Sequence, residues 1–159
     1  MGRIGAVDIG TNSVRLLVAD VDEKERLKTA HRMGEISRLG EGLDRTGVID
    51  EAAASRTLDC LERFVHEAEY SGASQIRVAG TNAFRVARNG REVADRFSLR
   101  IGYPVDILSG NEEARLVFIA VLSGLSDPRG RSVVVDIGGG STEIICGEGE
   151  DGTQLISLE

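Results

Sequence analysis

The amino-acid sequence predicts an α/β fold with a mixed sheet flanked by helices, and its pattern of elements starts to repeat near the end of the chain. Residues 7–18 and residues 133–145 share one pattern: an apolar run that ends in Asp, a turn of glycines and small polar residues, and a second apolar run. Three strand patterns precede the first helix pattern, and three more close the chain. The predicted order is therefore β-β-β-α-β-α-β-α, followed by a second β-β-β.

The composition is typical of a soluble globular protein. Of the 159 residues, 41% are hydrophobic and 28% are charged, and no apolar stretch approaches the roughly 18 residues that a membrane span needs. The N-terminus lacks a signal-peptide pattern and the two cysteines lack metal-ligand spacing, so we expect a cytoplasmic protein that does not bind a membrane. The net charge of −7 argues against nonspecific binding of nucleic acid.

Alternating apolar residues and breaker residues define the elements of the first half. Three strands are predicted at residues 3–9, 14–21 and 25–33. A glycine-containing loop at residues 40–48 leads to a long helix, for which Asp50 is the predicted N-cap and Gly72 the end.

The second half alternates strands with shorter helices before the final ribbon. The predicted strands are residues 75–79, 105–108, 132–137, 142–146 and 154–158, and the predicted helices are residues 83–87, 91–97 and 112–122. Residues 126–130, with the sequence Ser-Asp-Pro-Arg-Gly, are the clearest linker in the chain.

These elements indicate one complete domain at residues 1–125, followed by the linker and first strands of a truncated second domain at residues 126–159. A three-stranded ribbon with an apolar face and no covering layer would be unstable, so we expect a fragment of a longer protein. The ribbon should pack on the first domain, pair with another copy of the chain, or be poorly ordered.

The two repeated hairpins are the candidate phosphate-binding elements. Each places a carboxylate, Asp8 or Asp136, at the end of its first strand, where it can hold a hydrated divalent cation. Glycines allow backbone N–H groups to approach an anion closely, and hydroxyl groups add further donors. A single turn of this kind is more often just a tight turn, with its Asp in a turn-stabilising role. The duplication favours two turns that clamp a phosphate chain.

Other residues of the hairpins and one acidic pair complete the candidate site. The predicted phosphate donors are Thr11, Asn12, Ser13, Gly138, Gly139, Gly140, Ser141 and Thr142. Chain geometry alone also explains Gly138 and Gly139. The alternation of side chains along the second strand makes Arg15 either solvent-facing or cleft-facing, and the two alternatives are about equally favoured. The pair Glu112-Glu113 is explained, on the residues alone, as a complement to a helix dipole with Asn111 as N-cap.

Four motifs, in this order and at this spacing, resemble the exopolyphosphatase and guanosine pentaphosphate phosphohydrolase family. They are residues 8–13, Gly80-Thr81 with Arg85 and Asn89, residues 109–116, and residues 136–143. The resemblance covers essentially the whole chain and implies the actin-like superfold, whose members bind phosphates between two related domains. Proteins of that family are at least twice as long as this chain.

The resemblance also implies chemical roles. Glu113 would activate the attacking water. On the residues alone we prefer a role of the acidic pair in complementing the helix dipole, and the family resemblance reverses that preference. Asp136 and Glu143 would bind Mg²⁺, with Asp8 as their counterpart acting through a water, and oxygen ligands at a phosphate site suit Mg²⁺ better than a transition metal. Arg85 would contact substrate phosphate.

The implied activity is Mg²⁺-dependent release of terminal phosphate from inorganic polyphosphate or guanosine pentaphosphate by a homodimer, and the choice between the two substrates stays open. Arg88 and Arg91 are alternatives to Arg85, and Glu112 is the alternative to Glu113. An ATP-dependent sugar or acid kinase of the same superfold is the first rival function, and a catalytically silent regulatory module is the second. We expect the isolated chain to be inactive, because a half-built cleft cannot close on substrate.

Overall fold

The computed structural model describes residues 2–24, 26–125, 130–148 and 151–158. Its elements are β1 Gly2–Ile9, β2 Ser13–Val21, β3 Leu27–Ile36, α1 Leu43–Thr46, α2 Glu51–Tyr70, β4 Gln75–Gly80, α3 Asn82–Val86, α4 Gly90–Ile101, β5 Val105–Ile107, α5 Gly110–Ser123, β6 Arg131–Ile137, β7 Thr142–Glu148 and β8 Asp151–Leu158. The chain forms two compact units, Met1–Ile107 and Leu108–Glu159.

The first unit is built on a mixed five-stranded sheet in the order β3-β2-β1-β4-β5. β1, β2 and β3 form an antiparallel meander, whereas β4 lies parallel to β1 and β5 lies parallel to β4. The three parallel strands end together, because Ile9 pairs with Gly80 and Gly80 pairs with Ile107. This edge of the sheet is where ligands collect in α/β folds. The predicted α/β class, with a mixed sheet and flanking helices, is confirmed.

One face of this sheet carries the core of the first unit. Val7, Ile9 and Val14 are buried among helix residues, whereas Asp8 and Arg15 are exposed on the opposite face. This two-residue period is the one that the sequence alternation predicts. The polar candidates on β1 and β2 therefore lie on the open face, close to the edge where the parallel strands end.

The long helix α2 covers the core with an apolar stripe. Asp50 accepts hydrogen bonds from the backbone N–H groups of Ala52 (2.9 Å) and Ala53 (3.3 Å), which confirms the predicted N-cap. Burial raises the pKa of the Cys60 thiol to about 11, so this thiol stays protonated at neutral pH and serves the core. Neither α2 nor any other helix in the described parts of the chain is long and apolar enough to cross a membrane.

Several element ends differ from the sequence prediction. β3 continues to Ile36 rather than stopping at residue 33, because it pairs with β2 as far as Ser13. The loop predicted at residues 40–48 contains the short helix α1. α4 extends to Ile101, which packs in the core and so favours the extra turn.

The second unit is a three-stranded antiparallel sheet, in the order β6-β7-β8, with α5 packed on one face. The residues that form its core are Ala114, Phe118, Leu122, Val134 and Ile145. The helical residues recur at every fourth position, which places them on one face of α5 opposite alternate residues of the strands. The sequence analysis expected α5 within the first domain and a ribbon without cover; the compact units instead divide between Ile107 and Leu108.

The other face of this sheet is apolar and exposed. Val133, Val135 and Ile137 alternate with the core residue Val134 and are 65%, 54% and 78% exposed. The predicted linker at residues 126–130 falls almost wholly on 126–129, which lie outside the described residues.

Candidate active site

The first repeated hairpin joins β1 to β2 through a turn with two outward-facing donors. Ile9 pairs with Val14, and the N–H of Gly10 donates to the carbonyl of Ser13 at 2.9 Å. The backbone N–H groups of Thr11 and Asn12 have no acceptor among the residues that the structure describes. Adjacent N–H groups in a tight turn form a concave site for an anion.

The carbonyl groups of the same turn are held from behind by the loop that follows β3. The N–H groups of Ser37 and Arg38 donate to the carbonyl of Asn12 at 3.1 and 3.0 Å, and the N–H of Gly40 donates to the carbonyl of Thr11 at 2.9 Å. We call residues 37–40 the buttress loop. A peptide C=O and the following N–H point in opposite directions, so these bonds turn the N–H groups of Asn12 and Ser13 away from the buttress loop.

The end of β4 lies directly beside this hairpin. Both the N–H and the hydroxyl of Thr81 donate to the carbonyl of Ile9, at 3.2 and 3.3 Å. α3 begins immediately afterwards and carries Arg85, which is half-buried. The ends of β1 and β4 thus bring Asp8 and Arg85 to the same edge of the sheet, as the sequence motifs predict.

Two further basic candidates have different surroundings. Arg15 is exposed and lies across the strands from Asp8 on one side and from Gly34 on the other, so it shares the open face with Asp8. Arg88 donates to the carbonyl of Thr46, at the end of α1, at 3.0 Å, and it stays an alternative to Arg85.

The second repeated hairpin, between β6 and β7, reproduces the backbone of the first. Ile137 pairs with Thr142, and the N–H of Gly138 donates to the carbonyl of Ser141 at 2.9 Å. The N–H groups of Gly139 and Gly140 have no acceptor within the described part of the chain. Ser141 is buried, so its hydroxyl is less accessible than the backbone donors of the turn.

The side chains beside the second turn differ from those beside the first. Asp136 pairs across the strands with Glu143, at the position where the first hairpin pairs Asp8 with Arg15. Glu143 is 1% exposed and lies on the face that α5 covers. Two carboxylates directly opposite each other on neighbouring strands repel, and a cation between them offsets that repulsion.

This donor pair fits Mg²⁺. Mg²⁺ takes oxygen ligands and usually keeps several waters or substrate phosphates in its coordination shell, so one or two carboxylates are sufficient. Among the residues that the structure describes, no group of three or more His, Cys, Asp or Glu side chains forms a complete protein cage. Asp136 and Glu143 would therefore hold Mg²⁺ together with water or phosphate oxygens.

The acidic pair at the start of α5 divides into two different environments. Ser109, rather than the expected Asn111, is the N-cap: its hydroxyl accepts from the N–H of Glu112 at 3.2 Å, and the Glu112 carboxylate accepts from the Ser109 hydroxyl and N–H at 2.7 and 2.8 Å. These hydrogen bonds, with the hydroxyl bond as the larger cause, lower the pKa of Glu112. Glu112 is thus a structural cap of α5.

Glu113 lies beside the buried face of α5. It precedes the core residue Ala114 and stands one turn before Val117, which packs against the same core. Its side chain is half-buried, whereas Glu112 is exposed. A partly desolvated carboxylate on a rigid helix is better placed to orient a water than one bound in a capping box.

The comparison with protein families covers three of the four sequence motifs and begins after the motif at residues 8–13. The model of the Ppx/GppA phosphatase family matches residues 17–159. The chain belongs to the Ppx/GppA phosphatase family.

Proteins from three organisms are similar to this chain in sequence, and two of them have solved structures with a similar fold. A guanosine-5'-triphosphate,3'-diphosphate pyrophosphatase of Vibrio cholerae is 37% identical over 155 residues, which is 97% of this chain and 31% of that protein. The Ppx/GppA protein of Aquifex aeolicus is 31% identical with a TM-score of 0.87, over 99% of this chain and 51% of that one. An exopolyphosphatase from Cytophaga hutchinsonii is 32% identical with a TM-score of 0.91, over 99% of this chain and 50% of that one.

Two features of the Ppx/GppA chain escaped the sequence analysis. The predicted loop at residues 40–48 includes only the last residue of the buttress loop, because the contacts of residues 37–40 with the turn join positions that are far apart in sequence. The side chain of Asn89 accepts from the N–H of Ile49 at 2.8 Å and donates to its carbonyl at 3.0 Å, so this motif residue ties two loops together. An Asn that follows a short helix pattern gives no signal of such a distant partner.

Proposed function

We propose that the full-length protein releases terminal phosphate from inorganic polyphosphate or guanosine pentaphosphate in a Mg²⁺-dependent reaction. The observation that carries the proposal is the pair of hairpins with one backbone geometry, each with two adjacent N–H groups that have no acceptor in the described chain. The names of the Vibrio and Cytophaga relatives support a phosphohydrolase of this kind. The chain spans about a third to a half of the length of these relatives, so the activity is proposed for the whole protein.

The residues of the first unit would bind and orient the phosphate chain. The N–H groups of Thr11 and Asn12 would donate to phosphate oxygens without a conformational change, because the buttress loop already holds the turn. Arg15 and Arg85 would add positive charge at the same edge of the sheet, with bidentate geometry available to each guanidinium group. Asp8 would act through a metal-bound water.

The residues of the second unit would supply the chemistry. Glu113 would accept a proton from the attacking water, or orient that water in line with the bond to the leaving phosphate. The N–H groups of Gly139 and Gly140 would stabilise charge on the transferred group. Mg²⁺, held by Asp136 and Glu143, would offset the negative charge of the phosphate oxygens.

Phosphate release by the full-length protein tests this proposal. Release from polyphosphate or guanosine pentaphosphate should require Mg²⁺ and should require no added nucleotide. A strict requirement for ATP and an acceptor alcohol or acid would indicate a kinase of the same superfold instead. Absence of turnover on both substrates, in a protein shown to be folded, would refute the proposal.

We also propose that the full-length protein is cytoplasmic and that it functions as a homodimer. Sedimentation of the full-length protein at several concentrations measures its oligomeric state directly. A monomer throughout the range in which the protein is active would refute the homodimer.

A further inference from the structure

The buttress loop contains an unusual backbone conformation beside the first phosphate turn. Arg38 has φ = 53°, and it is the one non-glycine residue with positive φ in the described parts of the chain. This left-handed region is unfavourable for a residue with a Cβ atom, and Gly or Asn is the usual occupant. Strained residues of this kind persist where the surrounding structure holds them, and they cluster at functional sites.

The surroundings show what holds Arg38 in this conformation. Its N–H donates to the carbonyl of Asn12 at 3.0 Å, in the same turn that offers the free donors. Its neighbours Ser37 and Leu39 are 3% and 0% exposed, so the chain is anchored on both sides. These contacts hold the backbone of Arg38 against the phosphate turn, while its side chain remains exposed.

The side chain of Arg38 is available for a ligand. It makes no ion pair with any residue that the structure describes, whereas its neighbour Arg56 is bound to Glu41 at 2.6 Å. Arg38, Arg56 and Glu41 line a surface groove of about 500 Å³, together with Ile36 and Ser37. This groove has two arginines and one carboxylate.

The next groove along the surface carries more carboxylates. Between β3 and α2 it is lined by the carboxylates of Glu35, Asp59 and Glu62, against Arg56, Arg63 and His66. A polyanion would be attracted more strongly to the Arg38 groove, which has two arginines and one carboxylate.

We propose that Arg38 binds a phosphate group of the substrate chain beyond the one held by the turn, and so sets the affinity for long phosphate chains. The inference rests on the proposed function, because it assigns a further substrate contact to the same site. The N–H of Asn12 faces away from the buttress loop, so Arg38 and this donor would contact different phosphates. A planar guanidinium group suits the non-bridging oxygen atoms of a phosphoanhydride chain.

The test compares Arg38→Gln and Arg38→Gly with the wild-type full-length protein. Arg38→Gln removes the charge, and Arg38→Gly removes the side chain while placing the best residue at positive φ, which separates the loss of the contact from damage to the loop. Both should raise the KM for long-chain polyphosphate about tenfold, the scale of one charge-assisted contact, with kcat unchanged within about twofold. Inhibition by orthophosphate should not change, because that ligand occupies the turn alone.

Arg26→Gln is the matched control. Arg26 is exposed and forms an ion pair with Asp22 at the far end of the β2–β3 ribbon, so this change alters the net charge equally without touching the groove. The control should keep the wild-type KM. Equal effects of Arg38→Gln and Arg26→Gln, or an unchanged KM in Arg38→Gly, would overturn the assignment of Arg38.

A binding titration separates this inference from the proposed function. If the wild-type protein binds long-chain polyphosphate but does not hydrolyse it, the proposed function fails, and the binding constants of the same variants still test Arg38. Weaker polyphosphate binding by both Arg38 variants, and not by Arg26→Gln, would support the inference. A wild-type protein that neither binds nor hydrolyses polyphosphate would refute both.

Discussion

The β1–β2 hairpin and the β6–β7 hairpin share one backbone design but differ in charge and in support. In each turn a glycine N–H donates to a serine carbonyl at 2.9 Å, and the next two N–H groups have no acceptor in the described chain. Opposite the shared aspartate, however, the first hairpin has Arg15 and the second has Glu143. We propose that this single cross-strand position adds a phosphate contact in the first hairpin and a Mg²⁺ ligand in the second.

The two hairpins also differ in how their turns are held. Three N–H groups of the buttress loop bind the carbonyl groups of Thr11 and Asn12, whereas the carbonyls of Gly139 and Gly140 accept no backbone hydrogen bond within the described residues. The first turn is therefore organised before ligand binds. The second turn contains Gly139 and Gly140 and has no comparable brace within the described residues.

The largest expected effect concerns the helix beside the second hairpin. Glu113→Gln keeps the shape of the side chain but removes the proposed base, so kcat of the full-length protein should fall by a factor on the order of 10² to 10⁴. Substrate KM should change little. Glu112→Gln is the matched control, since Glu112 is bound in the capping box, and its effect on kcat should be small. A larger loss of kcat in Glu112→Gln than in Glu113→Gln would transfer the catalytic role to the first glutamate.

Replacing the shared aspartates tests whether the two hairpins serve one site. Asp136→Asn should lower turnover and should raise the Mg²⁺ concentration for half-maximal activity by about a hundredfold. Asp8→Asn should have the same effects but raise that concentration by about tenfold, because the contact of Asp8 with the metal is through water. The double variant should lose less than the product of the two factors, since residues that serve one metal act as a unit. Turnover at a series of Mg²⁺ concentrations measures all three. Strictly multiplicative losses would mean two independent roles.

Gly40→Ala tests the brace of the first turn. A Cβ atom at Gly40 would overlap the methyl group of Thr11, so either the Thr11 side chain must rotate or the buttress loop and the turn must move apart. We expect a loss of about 1–3 kcal/mol in the free energy of unfolding, with a higher KM for substrate. Gly2→Ala serves as the control, because a Cβ there meets no atom within 4 Å and its stability should not change. Wild-type stability and KM in Gly40→Ala would mean that rotation of the Thr11 side chain accommodates the added methyl group and that this contact does not constrain the turn.

The smallest expected effect is at the cap of α5. Ser109→Ala should lower the free energy of unfolding by about 1 kcal/mol near neutral pH. The pKa of Glu112 is lowered in the folded protein, so its stabilising contribution is present above its ordinary value of 4.5 and is lost as the pH falls through the lowered pKa. The difference between wild type and Ser109→Ala in urea unfolding should shrink between about pH 6 and about pH 3. A difference that grows toward low pH would contradict the assigned cap.

The sequence predicted the features that depend on local pattern. The Asp50 cap, the strand alternation around Val7 and the two hairpin turns all follow from residues close together in the chain, and the structure confirms them. The order of the motifs was sufficient to suggest the family, which the match over residues 17–159 shows.

Features that depend on distant contacts could not be predicted from the sequence. The buttress loop reaches the turn across more than twenty residues, and neither Arg38 nor Gly40 carries a local signal of that contact. The placement of α5 on the second sheet depends on the fit of Phe118 against Val134, which no single-sequence periodicity specifies. The capping box at Ser109 was readable, since Glu follows three residues later, but the helix was started too late in the chain.

The response to Mg²⁺ of Arg15→Gln and Glu143→Gln tests whether the residue opposite the shared aspartate binds phosphate in the first hairpin and Mg²⁺ in the second. With the full-length protein, Glu143→Gln should raise the Mg²⁺ concentration for half-maximal activity at least about tenfold, with little change in substrate KM at saturating Mg²⁺. Arg15→Gln should do the reverse, raising the substrate KM about tenfold and leaving the Mg²⁺ response as in wild type. If both variants shift the same quantity, these two cross-strand positions do not divide phosphate and Mg²⁺ binding between them, and the roles proposed for Arg15 and Glu143 are wrong.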